Sequence, residues 1–386
     1  MTHPYLSARL QGFGTTIFAE MSALAVATDS INLGQGFPDT DGPDEIAEAA
    51  IAAIRAGHNQ YPPGLGIPEL RSAIAEHQRH WYGLTYDPAD EVLVTAGATE
   101  AIAATLLAIC EPGDEVVMFE PYYDSYAACV GMAGATRRVV TLRTPDYSFD
   151  PDEIRRAITP RTKAILLNSP HNPTGKVFDR AELELVANLC IEHDVLAITD
   201  EVYEHLTYDG AEHIPLATLP GMRDRTVMIS SAGKTFSYTG WKIGWVCASS
   251  ELVAAVRTAK QFLTYASGTP FQHAIATGLT NLPDDYYRDF AADLSARRDL
   301  LIHGLQAAGF ETFTPSGTYF VTADIAPLGA TDGLAFCRAL PERCGVVAVP
   351  NVVFYDNKTA GESLIRFTFC KRPEVLAEAV ARLLTL

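Results

Sequence analysis

Basic residues are scarce in this chain of 386 residues. Lys and Arg total 29 against 47 Asp and Glu, which gives a formal net charge of −18. A surface this acidic repels phosphate backbones and anionic lipid headgroups. The composition therefore argues against nucleic acid and membranes as partners, whereas a small anionic substrate needs only a few local cations.

Paired cysteines and long apolar runs are also missing. The seven cysteines are odd in number and include no Cys-x-x-Cys pair, which is typical of reduced thiols in the cytoplasm. The chain does not open with a basic segment followed by an apolar run, and the apolar stretch at 101–110 is too short to cross a bilayer. These absences predict a cytoplasmic protein without a signal peptide.

Several familiar catalytic motifs are absent as well. The sequence contains no G-x-S-x-G nucleophile elbow, and its glycine-containing turns do not form a GxGxxG or a phosphate-binding P-loop. His77 and His80 lie three residues apart in a helical stretch, but no carboxylate-rich cluster beside them in the sequence completes a metal site. We therefore expect no metal.

The region from about 90 to 250 alternates short apolar runs with helical patterns. Strands are predicted at 92–95, 115–119, 138–142, 164–168, 195–199, 226–230 and 243–247. Continuous apolar runs such as Ala-Ile-Leu-Leu suit strands that are covered on both faces. The alternation predicts an α/β fold with a mostly parallel seven-stranded sheet flanked by helices.

The pattern changes after about residue 280. A long helix at 284–308, strands at 318–322 and 364–369, and helices at 332–340 and from 373 onward indicate a smaller α+β domain. The first forty residues show no strong periodicity, and glycines and prolines between 34 and 43 indicate an arm or loop. We divide the chain into an arm that also joins the small domain (1–45), a large domain (46–280) and a small C-terminal domain (281–386).

Chemically useful residues follow the predicted strands. Lys234, one of only seven lysines, lies among small residues after the strand at 226–230, and Asp200 ends the run at 195–199. Carboxyl ends of parallel strands line the crevice in which such sheets bind ligands. A buried lysine there has a lowered pKa and can form an imine, and a buried acid can pair with a protonated ring nitrogen. The alternatives are a surface lysine in a polar loop and a helix cap at Asp200.

Three further segments carry weaker signals. Asn172 lies in a turn with two prolines, which either fixes its amide toward the crevice or only makes a tight turn; we expect a cis Asn172–Pro173 bond. Ala98 and Thr99 open a helix whose free N–H groups can hold an anion. Arg366 lies in an apolar strand, where its fork suits either a substrate carboxylate or a structural ion pair.

Together these segments resemble the class I and II aminotransferases of the type I pyridoxal 5′-phosphate (PLP) fold, over essentially the whole chain. The resemblance rests on Arg366 and on the segments 32–38 (Asn-Leu-Gly-Gln-Gly-Phe-Pro), 59–61 (Asn-Gln-Tyr), 169–175 (Ser-Pro-His-Asn-Pro-Thr-Gly), 200–203 (Asp-Glu-Val-Tyr) and 231–242 (Ser-Ala-Gly-Lys-Thr-Phe-Ser-Tyr-Thr-Gly-Trp-Lys). It implies that the large domain binds PLP.

The resemblance also implies roles for individual residues. Lys234 would hold PLP as an imine and move the substrate proton, and Asp200 would keep the ring nitrogen protonated. Other cofactor contacts would come from Asn172 and Tyr203 at the ring oxygen, Tyr123 on the ring face, and Ala98, Thr99, Ser231, Lys242 and the partner subunit's Tyr61 at the phosphate. The substrate would be held by Arg366, Asn172, the Gly36 backbone and Phe18.

Within this class the chain looks closest to N-succinyl-diaminopimelate aminotransferases, and next to the kynurenine, glutamine and methionine aminotransferases. It departs from the kynurenine type because Tyr265-Ala266 replaces an aromatic-His pair and Phe18 replaces a tryptophan. The implied activity is ping-pong transamination in a homodimer, with N-succinyl-LL-2,6-diaminopimelate or a broader set of amino acids as donor and 2-oxoglutarate as acceptor. The alternatives are a kynurenine–oxoglutarate transaminase and a cysteine-S-conjugate β-lyase. A PLP-sensing regulator is disfavoured by the short arm and the acidic charge.

Overall fold

A computed structural model describes residues 4–386. The α-helices in this range are α1 (Ile17–Ala27), α2 (Asp44–Arg55), α3 (Pro68–Tyr82), α4 (Gly97–Ile109), α5 (Asp124–Met132), α6 (Pro151–Ala157), α7 (Arg180–Glu192), α8 (Ala232–Thr235), α9 (Ser250–Lys260), α10 (Thr269–Asn281), α11 (Asp284–Ala307), α12 (Gly333–Cys344) and α13 (Pro373–Leu383). The strands are β1 (Ile31–Asn32), β2 (Val92–Thr95), β3 (Glu115–Glu120), β4 (Thr136–Thr141), β5 (Thr162–Asn168), β6 (Leu196–Asp200), β7 (Thr226–Ser231), β8 (Gly244–Cys247), β9 (Glu311–Phe313), β10 (Phe320–Asp324), β11 (Val346–Val347), β12 (Val349–Pro350) and β13 (Leu364–Thr368).

The central sheet contains the seven strands that the sequence predicted. Their order is β2-β8-β7-β6-β5-β3-β4, and only β8 runs antiparallel to its neighbours. Strand ends differ from the predicted ones by at most two residues. The apolar runs are covered on both faces: every residue of β2, β3 and β7 is buried. The mostly parallel sheet is therefore confirmed.

The strand order explains where a site forms. β5, β6 and β7 are adjacent and parallel, with Asn168 opposite Asp200 and Asp200 opposite Ile229. The segments that leave these three strands therefore emerge side by side at one edge of the sheet. Because parallel strands end at the same edge, residues far apart in sequence meet there.

A second, antiparallel sheet has the order β12-β13-β10-β9, and a two-stranded parallel pair joins β1 to β11. The N-terminal segment contributes to the same apolar core as the C-terminal elements, since Met21 and Leu33 pack in one cluster with Leu301 and Phe367. α10 instead packs against α2 and α3. Domain boundaries at residues 45 and 280 remain a proposal.

Helix α1 corrects the expectation that the first forty residues form an arm or loop. Thr16 caps this helix by accepting a hydrogen bond from the Ala19 amide. Its apolar residues lie on several faces, and only Met21 and Ala25 are fully buried, so the sequence shows no clean amphipathic period. Among residues 4–386, no helix combines the length and the apolar character needed to cross a membrane.

Candidate active site

A cavity of about 220 Å³ lies at the carboxyl ends of β5, β6 and β7. The structure brings every predicted site residue except Tyr61 to its walls. These residues are Phe18, Gly36, Ala98, Thr99, Tyr123, Asn172, Asp200, Tyr203, Ser231, Lys234, Lys242 and Arg366. The Asn172–Pro173 bond is cis, as expected from the sequence.

Lys234 lies in the short helix α8, directly after β7. Its Nζ donates a hydrogen bond to the Gly36 carbonyl at 3.3 Å and lies 5.5 Å from the centre of the Tyr319 ring. Burial lowers the pKa of Lys234 to about 8, although the nearby Asp200 carboxylate opposes the shift. The lowered pKa makes the neutral amine, the form that reacts with a carbonyl, easier to reach than in an exposed lysine.

Asp200 ends β6 and is buried in the cavity wall. Its Oδ2 accepts a hydrogen bond of 2.6 Å from the Tyr126 hydroxyl, and its Oδ1 accepts one from the Val202 amide. Burial raises the pKa of Asp200 to about 6, and these hydrogen bonds limit the rise. The Asp200 carboxylate is therefore already oriented to receive a cationic group in the cavity. Among residues 4–386, no cation lies within hydrogen-bond distance of it.

Arg366 is buried in β13 without an acidic partner among residues 4–386. Its Nη1 donates to the Asn172 side-chain oxygen and its Nη2 to the Gly34 carbonyl, both at 2.9 Å, while its buried Nε has no partner. The guanidinium lies 4.0 Å from the centre of the Phe320 ring and 5.1 Å from that of Phe18. Burial lowers the pKa of Arg366 to about 10. A buried cation with a free donor is suited to an anion supplied from outside the chain.

Helix α4 and Lys242 form a second anion-binding feature. Gly97 starts α4 with a φ of +77°, and a Cβ atom on it would lie 3.0 Å from Lys242 Nζ. A residue with a side chain at position 97 would fill this space, so only glycine leaves it open. The backbone amides of the first turn of α4, including those of Ala98 and Thr99, have no acceptor within the helix. This corner of the cavity therefore suits a phosphate group.

Tyr61 is the predicted site residue that the structure leaves outside the cavity. It is 81% exposed, and its ring meets that of Tyr265 edge-on at 5.3 Å. Phe262, three residues before Tyr265 in the chain, is 83% exposed. The prediction that Tyr61 serves another subunit's site is consistent with this position, but its role remains a proposal.

The sequence analysis missed three residues that shape the cavity. Tyr126 contacts Asp200, Gln35 lines the cavity, and Phe320 stacks on Arg366. Tyr126 lies three residues after Tyr123 on α5, and this helical spacing is the only signal that would have found it. The sequence analysis also missed that His77 lies beside Glu204 and His205, whereas His80 pairs with Asp284.

The lysine, the carboxylate and the phosphate corner together suit a phosphorylated cofactor with an aldehyde and a basic ring nitrogen. The comparisons with known proteins agree. The sequence profile of the family "Aminotransferase class I and II" matches residues 28–383, and the chain belongs to this family. It is therefore a PLP-dependent enzyme that transfers an amino group between an amino acid and a 2-oxo acid.

Three relatives illustrate the similarity. The chain is 52% identical over 387 residues, 97% of both sequences, to a probable N-succinyldiaminopimelate aminotransferase of Mycobacterium tuberculosis. The solved structure of the M. tuberculosis N-succinyldiaminopimelate aminotransferase has a TM-score of 0.96, at 52% identity, and covers 98% of this chain and 99% of that one.

The Escherichia coli methionine aminotransferase is 37% identical over 97% of both sequences, and its structure has a TM-score of 0.95 with 99% of each chain covered. The mouse kynurenine–oxoglutarate transaminase 3 is 37% identical over 96% of this chain and 88% of its own length. These structures confirm the type I fold of PLP-dependent aminotransferases.

Proposed function

We propose that this aminotransferase takes the amino group of N-succinyl-LL-2,6-diaminopimelate and passes it to 2-oxoglutarate. The relative named for that substrate shares 52% identity over 97% of both sequences. The observation that carries an α-amino acid substrate is the buried Arg366 guanidinium with its unpartnered Nε. Methionine and kynurenine are the competing donors, because relatives named for each of them are 37% identical.

Arg366 would orient the substrate through its α-carboxylate. Asn172 and Gly34 hold two of the guanidinium nitrogens, so the fork is fixed before substrate arrives. Phe18, Phe320 and Phe354 surround the cation with aromatic faces and keep water from it. An ion pair formed in such a dry setting is stronger and more directional than one at the surface.

Lys234 would attach the cofactor and then carry the proton. When bound, PLP supplies an electron sink that stabilises negative charge at the substrate Cα. The lowered pKa of Lys234 lets its Nζ accept the Cα proton near neutral pH. The Gly36 carbonyl, 3.3 Å away, holds the amine in the cavity between transfers.

Asp200, together with the groups that hydrogen-bond to it, would keep the ring nitrogen of the cofactor protonated. The Tyr126 hydroxyl and the Val202 amide hold the two carboxylate oxygens in place. The Asn168 side chain donates to the Asp200 carbonyl, and its oxygen accepts from the Asn172 amide. These bonds tie Asn172, which would contact the ring oxygen, to the strand that carries the acid.

A homodimer would complete the site. Tyr61, Phe262 and Tyr265 present exposed aromatic surface on one chain, which is typical of a contact region. In a homodimer, Tyr61 of the partner subunit would reach the phosphate. Among residues 4–386, the cavity walls contain three cations, Lys234, Lys242 and Arg366, so recognition of a second substrate carboxylate would fall to the partner.

The location of the enzyme in the cytoplasm is proposed from its thiols. All seven cysteines are free, and six of them are buried. Burial raises the pKa of Cys110 to about 11, which keeps its thiol protonated and unreactive. A protein with free thiols and no disulfides is suited to a reducing compartment.

A panel of amino donors with 2-oxoglutarate tests the substrate. Purified enzyme would be assayed with N-succinyl-LL-2,6-diaminopimelate, kynurenine, methionine and glutamine, comparing kcat/KM. We expect the succinylated donor to give the highest value. A higher value for kynurenine or methionine would refute the proposed substrate and leave the family assignment intact.

The same preparation would be assayed for pyruvate and ammonia from S-substituted cysteines, which measures β-elimination. Elimination faster than transamination would favour the lyase. Analytical ultracentrifugation at several protein concentrations tests the homodimer, and a purely monomeric active enzyme would refute it.

A further inference from the structure

A second group of convergent polar side chains lies outside the catalytic cavity. His77 projects from α3, and Glu204 and His205 follow β6. The Nε2 atoms of His77 and His205 are 2.9 Å apart, and Glu204 Oε2 is 3.8 Å from His77 Nε2. Within residues 4–386, the three donor atoms all lie within 4.8 Å of one another.

The carboxylate of this group is only half satisfied. Ser230 donates a hydrogen bond of 2.5 Å to Glu204 Oε1, whereas the buried Oε2 has no hydrogen-bond partner in the part of the chain that the structure describes. Glu204 itself is 4% exposed. His77 lies 3.8 Å from Oε2 and Tyr82 also lies beside the carboxylate, but neither makes a hydrogen bond to Oε2, so a metal ion that reaches this oxygen would gain free energy.

The contact between the two imidazoles suits metal binding. Two Nε2 atoms 2.9 Å apart share at most one proton, so at least one imidazole presents a lone pair to the other. A neutral imidazole with a free lone pair is the form of histidine that ligates metals.

Aromatic rings pack against one side of the His77–Glu204–His205 group, and a cavity borders its other side. The rings of Trp81 and Tyr287 pack against His205 with centroid distances of 4.8 and 4.4 Å. Glu204 and His205 also border a cavity of about 960 Å³, which is separate from the catalytic one. An aromatic shell lowers the local dielectric, and the cavity gives a water molecule access to an open coordination position.

We propose that His77, Glu204 and His205 bind a zinc ion or a chemically similar divalent transition metal. Two imidazoles and one carboxylate form the donor set of open zinc sites, whereas calcium and magnesium prefer oxygen ligands. Because the two nitrogens are 2.9 Å apart, an ion about 2.1 Å from each would lie beside the line that joins them, and the rings must separate slightly to reach a tetrahedral angle. Glu204 must turn toward it, and its Oε2 loses no hydrogen bond by doing so.

The bound metal would join α3 to the segment that follows Asp200. It would therefore stabilise the wall of the catalytic cavity without contacting substrate. This inference does not depend on the proposed substrate, because the three ligands come from residues outside the catalytic cavity.

The test is zinc binding to the PLP-loaded enzyme after removal of bound metal with a chelator. Calorimetric titration with zinc chloride, together with metal analysis after gel filtration, should show one zinc per chain. Glu204→Gln and His77→Ala should each weaken binding by at least about tenfold, since each removes one of three ligands. Cobalt in place of zinc should give d–d absorbance with wild type and not with His77→Ala.

Two control variants separate this site from adventitious binding. His80 is on the same helix but pairs with the exposed Asp284, and His273 stacks on His58 with a centroid distance of 4.1 Å. His80→Ala and His273→Ala should bind zinc as wild type does. If Glu204→Gln and His77→Ala bind zinc as tightly as wild type, or if wild type retains no zinc, the proposal is wrong and His77 and His205 share only a proton. Should His77→Ala not fold, the isosteric Glu204→Gln decides alone.

Discussion

The segment 200–205 supplies two buried polar clusters that differ in how their charges are balanced. Asp200 and Tyr203 line the cavity with Lys234 and Arg366, where acid and bases face a space large enough for a ligand. Glu204 and His205 instead meet His77 directly, with nitrogen atoms in contact. The first cluster has room for an organic cofactor and substrate, whereas the two imidazole nitrogens of the second lie only 2.9 Å apart.

This difference shows that burial of charge does not by itself identify a catalytic site. Both clusters contain a carboxylate with a shifted pKa: that of Asp200 is raised to about 6, and that of Glu204 is lowered. Burial pushes both pKa values upward; two hydrogen bonds limit the rise at Asp200, whereas the side chains of His77, His205 and Ser230 outweigh burial at Glu204. Within residues 4–386, the Arg366 guanidinium of the open cluster has no acidic partner, whereas in the closed cluster Ser230 donates to one oxygen of Glu204 and His77 lies 3.8 Å from the other.

The largest expected effect in the open cluster belongs to Lys234. Lys234→Ala should lower transamination by at least about 10⁴-fold, because it removes the group that moves the proton. The absorbance of enzyme-bound PLP should change with it. Lys163→Ala, at an exposed lysine of β5, is the matched control and should keep full activity. Turnover near the wild-type rate in Lys234→Ala would exclude this lysine from catalysis.

Arg366→Lys should have the next largest effect. Lysine keeps the charge but loses the planar fork, so kcat/KM for an α-amino acid should fall about 10- to 100-fold. The loss should appear mainly in KM, and it should be much smaller for an amine that lacks the carboxylate. Arg372→Lys, at a half-exposed arginine, provides the control. Equal losses for both substrates would show that Arg366 does not bind the carboxylate.

A buried histidine beside the open cluster gives a pH-dependent prediction. His171 Nδ1 contacts Thr174 Oγ1 at 2.8 Å, and burial lowers the pKa of His171 to about 3. The unfolded chain takes up this proton below about pH 6.5 and the native state does not. The free energy of unfolding should therefore fall by about 1.4 kcal/mol per pH unit from pH 6.5 toward pH 3 because of this residue.

Urea unfolding of His171→Gln at several pH values measures this contribution. In His171→Gln, the free energy of unfolding should no longer show this part of its pH dependence. His193→Gln, at the exposed C-terminal cap of α7, should keep it. An unchanged slope in His171→Gln would mean that His171 takes up its proton in the native state as well.

The smallest effect is expected from Tyr126→Phe. Its hydroxyl holds the pKa of Asp200 down, so its removal should raise that pKa by roughly one unit. The acidic limb of the pH dependence of PLP binding should move to higher pH by the same amount. Tyr122→Phe loses a similar bond, 2.6 Å to Asp356, away from the cavity, and should leave that limb in place. A shift in both variants would indicate a general loss of stability.

Much of the open cluster was predictable because its residues follow strands. Buried parallel strands appear as continuous apolar runs, and the polar residue at each carboxyl end is therefore conspicuous, as with Asp200 and Lys234. Arg366 was conspicuous because it is a cation within an apolar strand. Tyr126 and Phe320 were missed because a tyrosine or phenylalanine inside an apolar element looks the same whether it packs or lines a site.

The closed cluster was not predictable. His77 and His205 are separated by 128 residues, and nothing in either local sequence indicates the other. The expectation that His77 lacks a carboxylate nearby was drawn from neighbours in sequence. In the folded chain, α3 packs beside the loop that follows β6, and this packing brings the Glu204 carboxylate next to His77. Helix α1 escaped prediction for a related reason, since an element that packs on several faces has no single period.

The sequence by itself determined the seven-stranded sheet and pointed to Asp200, Lys234 and Arg366, because hydrophobic periodicity and strand-end chemistry are local; the family and the other predicted site residues followed from the resemblance to known aminotransferases. Only the tertiary structure decided which hydrogen-bond partners each buried charge meets: Asn172 and Gly34 accept from Arg366, Tyr126 donates to Asp200, and Ser230 donates to Glu204. Electrostatic energies in a dry interior depend on separations of a few ångströms. Those separations arise only when distant segments pack together.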